Sequence, residues 1–247
     1  MENLTNKKYK EIKALIERSG VRKKSGLFTG EGERFFNEIP HDLIETVVVS
    51  EAYSRTHSQT GACVLKDEAY NRLCDTKHPQ GIMAVIRKPE YKMQELLKLS
   101  EQDLSCIYLI LEGISDPGNL GTIIRTAEAA GVKAVFIGTG SADVFSPKTV
   151  RSTMGSIFRV PFVYTEDPAE VAKALKERSV TVYAAHLSGE LLGETKLMPK
   201  RAFMIGNEAN GLSEGLAALA DKKIRIPMHG RVESLNAAIA AAVLMYQ

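Results

Sequence analysis

The C-terminal run of the chain, IRIPMHGRVESLNAAIAAAVLMYQ over residues 224–247, limits the available folds more than any other stretch. It predicts a short β-branched strand, a loop containing Pro and Gly, and a helix that starts near Ser234 and Asn236 and continues as an almost wholly apolar body. A helix that is apolar on all sides has to be buried. The run is too short to span a bilayer, so we expect its burial within the protein or at an interface.

Two earlier segments repeat this order of strand, polar loop and helix. They are CIYLILEGISDPGNLGTIIRTAEAAG over residues 106–131 and AFMIGNEANGLSEGLAALA over residues 202–220. Loops at the carboxyl ends of strands are the usual ligand-binding places in an open α/β sheet. The three loops are therefore expected to converge on one functional site.

Helices and strands alternate along the whole chain, which predicts an α/β protein with two domains. Residues 1–100 are predicted to form a small α/β/α domain that ends in a linker, YKMQELLKLSEQDLS. Residues 104–247 are predicted to form a second domain with a mostly parallel sheet and helices on both faces. Within it, Ser146 and Asp167 are expected to cap two helices, because each is followed by a proline at the first helical position.

Composition excludes several classes of protein. The chain has 247 residues, 44% of them apolar, and a net charge of +2, as in an ordinary soluble globular protein. Its N-terminal sequence lacks the apolar core of a signal peptide, so a cytoplasmic protein without membrane association is expected. Cys63, Cys74 and Cys106 have the spacing of neither a disulfide framework nor a zinc ribbon. Cys74 and His78 form one weak pair for a metal, and we predict buried thiols and no metal.

Basic side chains are concentrated near the N-terminus, within residues 7–34. They are Lys7, Lys8, Lys10, Lys13, Arg18, Arg22, Lys23, Lys24 and Arg34. This basic arm is compatible with phosphate contacts. Charge alone leaves a solvated helix face as an equal alternative.

Common nucleotide and hydrolase motifs do not account for the chain. In VFIGTGSAD, Gly138 and Gly140 follow a strand, but the third glycine of a dinucleotide fingerprint is missing and the helix does not begin in time. The sequence contains no P-loop and no G-x-S-x-G nucleophile elbow.

Five polar residues occur in or beside the three loops: Asn119, Arg125, Glu208, Ser234 and Asn236. Helix N-termini and unpaired backbone N–H groups at such junctions suit anions and polar ligands. Each residue taken singly is also explained as a cap or turn residue. Arg125 differs, because apolar neighbours predict a partly buried guanidinium that needs an acceptor, either a phosphate or Glu208.

The segments DPGNLGTIIRTAEAAGV, MIGNEANGLS and IRIPMHGRVESLN resemble the three signature motifs of the SpoU (TrmH-type) RNA 2′-O-ribose methyltransferases of the SPOUT superfamily. SGLFTGEGERFFNE and DTKHPQGIMAVIRKP resemble the RNA substrate-binding domain that many such enzymes carry in front, which is similar to a ribosomal protein. The resemblance implies a C-terminal trefoil knot, S-adenosylmethionine as cofactor, an obligate homodimer through the knotted domain, and RNA contacts for the basic arm.

By motif match, the resemblance implies cofactor contacts at Gly206, Ile226, Leu235 and Ala185. It also implies that Arg125 acts as general base. Because a guanidinium stays charged near neutral pH, we instead expect Arg125 to clamp the substrate phosphate, with Asn119, Glu208, Ser234 and Asn236 holding the loops and the ribose. The expected substrate is ribosomal RNA. The alternatives are the same chemistry on transfer RNA, a non-catalytic RNA-binding relative of the fold, and a nucleotide-dependent enzyme of another class.

Overall fold

A computed structural model describes residues 2–247, with Glu2, Asn3 and Gln102 described by their backbone alone. The chain divides into two compact units. The N-terminal unit contains the chain up to Glu90 together with Asp143–Phe158, and the C-terminal unit contains Tyr91–Ala142 together with Arg159–Gln247.

The N-terminal unit is a five-stranded sheet with short helices. Its elements are β1 (Glu2–Asn3), α1 (Asn6–Glu17), α2 (Ser19–Ser25), β2 (Leu27–Glu31), α3 (Glu33–Phe36), a 3₁₀ turn (His41–Leu43), β3 (Ile44–Ser50), α4 (Glu51–Thr56), β4 (Cys63–Leu65), α5 (Asp67–Leu73), β5 (Ile82–Arg87), α8 (Pro147–Thr153) and a second 3₁₀ turn (Ser156–Phe158). The strand order is β1-β4-β3-β5-β2, and β5 is antiparallel to both of its neighbours.

Apolar residues at helical spacing explain how α1 packs. Ile12 and Leu15 face the sheet and are buried in a core with Val48, Tyr70 and Met83. The Thr5 hydroxyl accepts a hydrogen bond from the Lys8 N–H and so caps the start of the helix.

Residues 143–158 lie within the predicted second domain but group with the N-terminal unit. The Phe145 ring centroid lies 5.0 Å from that of Phe28, and the Phe158 centroid lies 5.6 Å from that of Phe35. The Ser146 hydroxyl caps α8 ahead of Pro147, as predicted. Aromatic packing of this kind makes the segment part of the N-terminal core.

The C-terminal unit is a six-stranded parallel sheet with helices. Its elements are α6 (Met93–Gln102), β6 (Cys106–Leu111), α7 (Pro117–Ala129), β7 (Ala134–Gly138), β8 (Phe162–Thr165), α9 (Pro168–Lys176), β9 (Thr181–Leu191), a 3₁₀ turn (Leu192–Glu194), β10 (Lys200–Ile205), α10 (Glu214–Ala217), β11 (Lys222–Arg225) and α11 (Ala237–Met245). The strand order is β11-β9-β10-β6-β7-β8, and every described pairing is parallel. The predicted α/β class with a parallel second sheet is confirmed, whereas the trefoil knot stays a prediction.

Helix α6 forms where the sequence predicts a linker. Its Leu96 and Leu97 are buried in the core of the C-terminal unit, beside Tyr108 and Leu175. The leucines give this charged segment one apolar face, and that face packs instead of remaining in solvent.

Helices α7 and α11 pack against each other in the C-terminal unit. Asp116 caps α7 and Asn236 caps α11 with side-chain hydrogen bonds. One side of α11 is buried, but Ile239 is 52% exposed, so the burial expected all round this helix is incomplete within one chain. No helix of residues 2–247 is both long enough and apolar enough to cross a membrane.

Candidate active site

A cavity of about 290 Å³ lies beyond the carboxyl ends of β10 and β11 and beside the middle of β9. Its lining residues are 185–187, 205–212, 224–226, Met228, 233–235, Ala237 and Ala240. All four predicted cofactor contacts, Ala185, Gly206, Ile226 and Leu235, are among them. The volume and the mixture of apolar side chains with a few polar groups are typical of a small-molecule site.

Gly206 is required by the way the following loop folds back on itself. A Cβ added at this position would lie 2.1 Å from the carbonyl carbon of Gly211 and 2.2 Å from the Leu212 nitrogen. Gly211 itself has a φ of 69°, in the left-handed region that favours glycine. The backbone of Gly206 therefore lies directly against its own loop.

Asn207 organises the loop and was not among the predicted site residues. Its Oδ1 accepts hydrogen bonds from the Ala209 N–H at 2.8 Å and the Asn210 N–H at 3.3 Å. Its Nδ2 donates to the Gly113 carbonyl at 2.7 Å, which ties the second motif to the loop after β6. The tendency of Asn to fold turns over its own backbone was the available signal in the sequence.

A chain of hydrogen bonds joins one residue from each motif. Asn236 Nδ2 donates to Asn119 Oδ1 at 2.9 Å, and Asn119 Nδ2 donates to Glu208 Oε1 at 2.7 Å. Asn236 Oδ1 is occupied as the cap of α11, which fixes the orientation of its amide. Three of the five predicted catalytic residues are thus held in one directional network.

Ser234 lies in the loop between β11 and α11 and lines the cavity beside Glu208. Strand β11 ends at Arg225, two residues before Pro227, so Ile226 belongs to this loop and not to the predicted IRIPM strand. Among the described residues, the backbone of 228–235 makes no hydrogen bond. These free N–H and C=O groups beside an apolar cavity suit a ligand with polar edges.

Arg125 is exposed, and the prediction of a partly buried guanidinium is wrong. Helix α7 buries Ile123, Ile124 and Ala127, whereas Arg125 lies on another side of the helix. Within residues 2–247 its guanidinium makes no hydrogen bond or ion pair, and Arg125 does not line the cavity. Glu208, one of its two predicted acceptors, receives the Asn119 amide instead.

Arg22 is unavailable to RNA, although it was predicted as part of the basic arm. Its side chain is 5% exposed and its Nη2 lies 2.8 Å from Asp143 Oδ2. Its Nη1 donates to the carbonyls of Leu15 and Ile16, which are at the end of α1. These contacts engage the buried guanidinium within the N-terminal unit.

The thiols and carboxylates form no metal site in the described part of the chain, where no group of three or more potential ligands occurs. Cys106 is buried, and Cys63 and Cys74 are partly buried and free. Burial raises the pKa of the Cys74 thiol to about 12. Cys74 is therefore a neutral, packed side chain at physiological pH.

Comparison with known proteins agrees with this architecture. The family described as SpoU rRNA Methylase matches residues 106–246, and the MRM3-like substrate binding domain matches residues 6–84. The chain belongs to the SpoU rRNA methylase family. The resemblance inferred from the three motifs is thereby confirmed.

One relative of this SpoU protein matches it over nearly its whole length. The 23S rRNA (guanosine(2553)-2′-O)-methyltransferase RlmP of Bacillus subtilis (strain 168) is 36% identical over 252 residues, which cover 100% of this chain and 97% of the relative.

Two solved structures share the fold. The SpoU methyltransferase AviRb from Streptomyces viridochromogenes, in complex with the cofactor AdoMet, has a TM-score of 0.85 and 26% identity, with 98% and 96% of the two chains covered. An AdoMet-bound rRNA methyltransferase from Sinorhizobium meliloti has a TM-score of 0.82 and 29% identity, with 100% and 95% covered.

Proposed function

We propose that this SpoU protein methylates a ribose 2′-hydroxyl in ribosomal RNA, with S-adenosylmethionine as methyl donor. The observation that carries the proposal is the cavity lined by the second and third motif loops, together with the hydrogen bonds from Asn236 through Asn119 to Glu208, which tie the first motif to both. The similarity to a 23S rRNA methyltransferase and to an rRNA methyltransferase of known structure supports ribosomal RNA as the substrate class. Work on ribosomal RNA places the protein in the cytoplasm.

The cavity has the chemical character that this cofactor requires. Ile226 and Leu235 offer apolar surface for an adenine ring, and Gly206 and Ala185 leave space for backbone contacts. The backbone groups of 228–235 are available to the polar edges of the ligand. When bound, S-adenosylmethionine supplies a methyl group carried by a positively charged sulfur.

The polar network positions the substrate and the loops. Asn119 holds the Glu208 carboxylate and the Asn236 amide, so the second and third motifs keep a fixed separation. Glu208 and Ser234 both line the cavity and are the side chains that we assign to the ribose. Alignment of reactants in this way can contribute about 7–11 kcal/mol in the best cases.

Arg125 acts as a cation in this proposal. A guanidinium is effectively always protonated near neutral pH, so a neutral arginine base would carry a large energetic cost. A charged Arg125 binds the phosphate beside the target ribose and stabilises the alkoxide that forms as the 2′-hydroxyl loses its proton. The proton passes to phosphate or water.

A second copy of the chain brings Arg125 to the site. Arg125 is exposed and lies outside the cavity of its own chain. Ile239 and Tyr246 leave apolar surface at α11, 52% and 63% exposed, which a homodimer through the C-terminal unit would cover. Light scattering of the purified protein should give twice the mass of one chain.

Methyl transfer provides the direct test of the function. The full chain is incubated with radiolabelled S-adenosylmethionine and unmodified transcripts of 23S rRNA or of transfer RNA. We expect label in 23S rRNA, at one nucleotide whose 3′-phosphodiester bond becomes resistant to alkaline cleavage because its 2′-oxygen is methylated. Label only in transfer RNA would show that the substrate is transfer RNA and not ribosomal RNA. Binding of the cofactor without methyl transfer to either RNA would contradict the proposal.

Arg125 variants test the role of the charge. Arg125→Ala should lower turnover by about 100-fold or more, as loss of one transition-state stabiliser does elsewhere, while cofactor affinity stays unchanged. Arg125→Lys keeps a charge but loses the planar fork, so it should recover little of the activity. Near wild-type turnover of Arg125→Lys would contradict the clamp.

Mixed dimers test the origin of Arg125. An Arg125→Ala chain with an intact cavity is combined, through unfolding and refolding, with a Gly206→Val chain that keeps Arg125. If the partner supplies the arginine, the mixture regains activity that neither parent has. An inactive mixture, with heterodimers demonstrated by a tag, would place Arg125 and the cavity in one chain.

A further inference from the structure

One edge of the sheet in the N-terminal unit carries an aromatic platform among basic side chains. Strands β2, β3 and β4 end at this edge and β5 begins there. The residues after these strands include Glu33 at the start of α3, Tyr53 and His57 on or beside α4, and Gln80 before β5. We call this surface the platform edge.

His57 stacks on Tyr53 with nearly parallel rings. The ring centroids are 4.2 Å apart and the planes differ by 12°. Tyr53 is 9% exposed and covers one face of the imidazole, yet the His57 side chain remains 44% exposed. The exposed part of the ring is therefore mainly its outer face.

The His57 ring is held at its edge as well as at its inner face. Its Nδ1 lies 2.8 Å from the Thr56 hydroxyl, and its Nε2 lies 3.9 Å from Glu33 Oε1. Glu33 is fixed in turn, because its N–H donates to Gln80 Oε1 at 2.9 Å. A ring fixed in this way presents a flat surface at little cost in conformational entropy.

Tyr53 is also fixed from behind. Gly81 has a φ of 85°, and a Cβ there would lie 2.8 Å from the Tyr53 Cβ. Any other residue at 81 would push the tyrosine out of place. The platform thus rests on a close contact between α4 and the start of β5.

Charge at the platform edge favours a polyanion. Arg34, Arg55, Lys66 and Lys77 are exposed, and none of them forms an ion pair with the residues that the structure describes. Three of the neighbouring acidic groups have partners, and Glu51 at the start of α4 leaves one negative charge among these cations. Asp67 accepts the Ala52 N–H at 2.9 Å, Glu68 pairs with Arg72, and Glu33 faces His57.

We propose that the platform edge binds single-stranded RNA and that His57 receives one unstacked base on its outer face, with Arg34, Arg55 and Lys77 beside the flanking phosphates. The proposal rests on the proposed function and adds to it a named subsite for the RNA. Single-stranded RNA is bound in this manner, by aromatic rings that stack on bases and by cations along the backbone.

Three variants of the full chain test the stacking. His57→Ala removes the ring, His57→Phe keeps an aromatic ring without the two ring nitrogens, and His41→Ala is the matched control at the other end of β3. Affinity is measured by filter binding to an unmodified 23S rRNA transcript. His57→Ala should weaken binding by about fivefold to a hundredfold, the range for loss of one base stack, whereas His57→Phe and His41→Ala should stay within about twofold of wild type.

Kinetics and salt dependence distinguish RNA binding by the platform edge from a purely structural role of its residues. His57→Ala should raise KM for RNA with kcat and cofactor affinity unchanged. Replacing Lys77 by Gln should reduce the slope of log affinity against log salt by about one. Equal binding by His57→Ala and wild type overturns the proposal. Equal weakening in His57→Ala and His57→Phe also overturns it, since His57 would then act through its ring nitrogens and not by stacking. A protein that binds the transcript but transfers no methyl group would contradict the proposed function. The RNA affinities of the variants could still be compared in that case.

Discussion

Glu31 is a carboxyl group at the end of β2 that is poorly solvated within the N-terminal unit. Burial raises its pKa above the usual value, although a hydrogen bond from the Thr76 hydroxyl and the charge of Arg151 act in the opposite direction. A group with a raised pKa binds its proton more tightly in the folded state. The free energy of unfolding therefore falls as the pH rises from about 4.5 through the raised value.

Glu31→Gln should stabilise the protein at neutral pH. Glutamine keeps an oxygen for the Thr76 hydroxyl and removes the buried charge, so a gain of about 1 kcal/mol, or about 2–4 °C in Tm, is expected at pH 7. The difference should disappear below about pH 4, where both side chains are neutral. Thermal melts at both pH values measure this difference in stability.

Glu17→Gln is an exposed control that loses only a surface pair with Lys13, so its Tm should change little at either pH. A lower Tm for Glu31→Gln at pH 7 would contradict the argument.

The loop 206–212 shows how one element turns a short motif into a binding surface. Gly206 lets the chain pass against the backbone of Gly211 and Leu212, and Asn207 bonds the turn from inside. The backbone contacts at Gly206 leave no flexible side chain that could yield. The geometry of this cavity wall therefore requires a residue without a side chain, glycine, at position 206.

Gly206→Ala should weaken cofactor binding by at least about tenfold, because the added methyl group forces the loop to open. Isothermal titration with S-adenosylmethionine measures this. Gly215→Ala is the control: a Cβ there meets nothing within 4 Å, and alanine in helix α10 should leave affinity unchanged and stabilise by about 0.5–1 kcal/mol. An unchanged affinity for Gly206→Ala would show that the loop is not rigid.

Local elements could be predicted from the sequence because their causes are local. Ser146 and Asp167 cap α8 and α9 as their following prolines suggest, and the strands follow the β-branched runs. The cavity residues were found through motif resemblance. The exposure of Arg125 and the hydrogen bond from Asn207 to Gly113 depend on which side of an element packs against the rest of the fold. The residue pattern alone does not determine that side.

At the scale of the whole molecule, the two units are not two consecutive halves of the chain, because each unit is built from two separate stretches. Residues 143–158 are flanked on both sides by parts of the C-terminal unit, yet they complete the N-terminal core. The sequence conceals this, because a Ser-Pro helix after a strand fits the alternation of an α/β domain equally well. A substitution within the stretch matched by the SpoU family should therefore disturb the other unit.

Phe145→Ala tests this division. Phe145 is 7% exposed and packs on Phe28, so its loss should cost the N-terminal unit about 3–5 kcal/mol. Hydrogen exchange under mild urea should show β2 and β5 opening first. RNA binding should be weaker, and affinity for S-adenosylmethionine should be unchanged.

Phe136→Ala is the matched control. Phe136 is fully buried in β7, so its loss should loosen the C-terminal unit instead. If Phe145→Ala exposed β6 and β7 as strongly as β2 and β5, residues 143–158 would belong energetically to the C-terminal unit, and local opening would not follow the division of contacts.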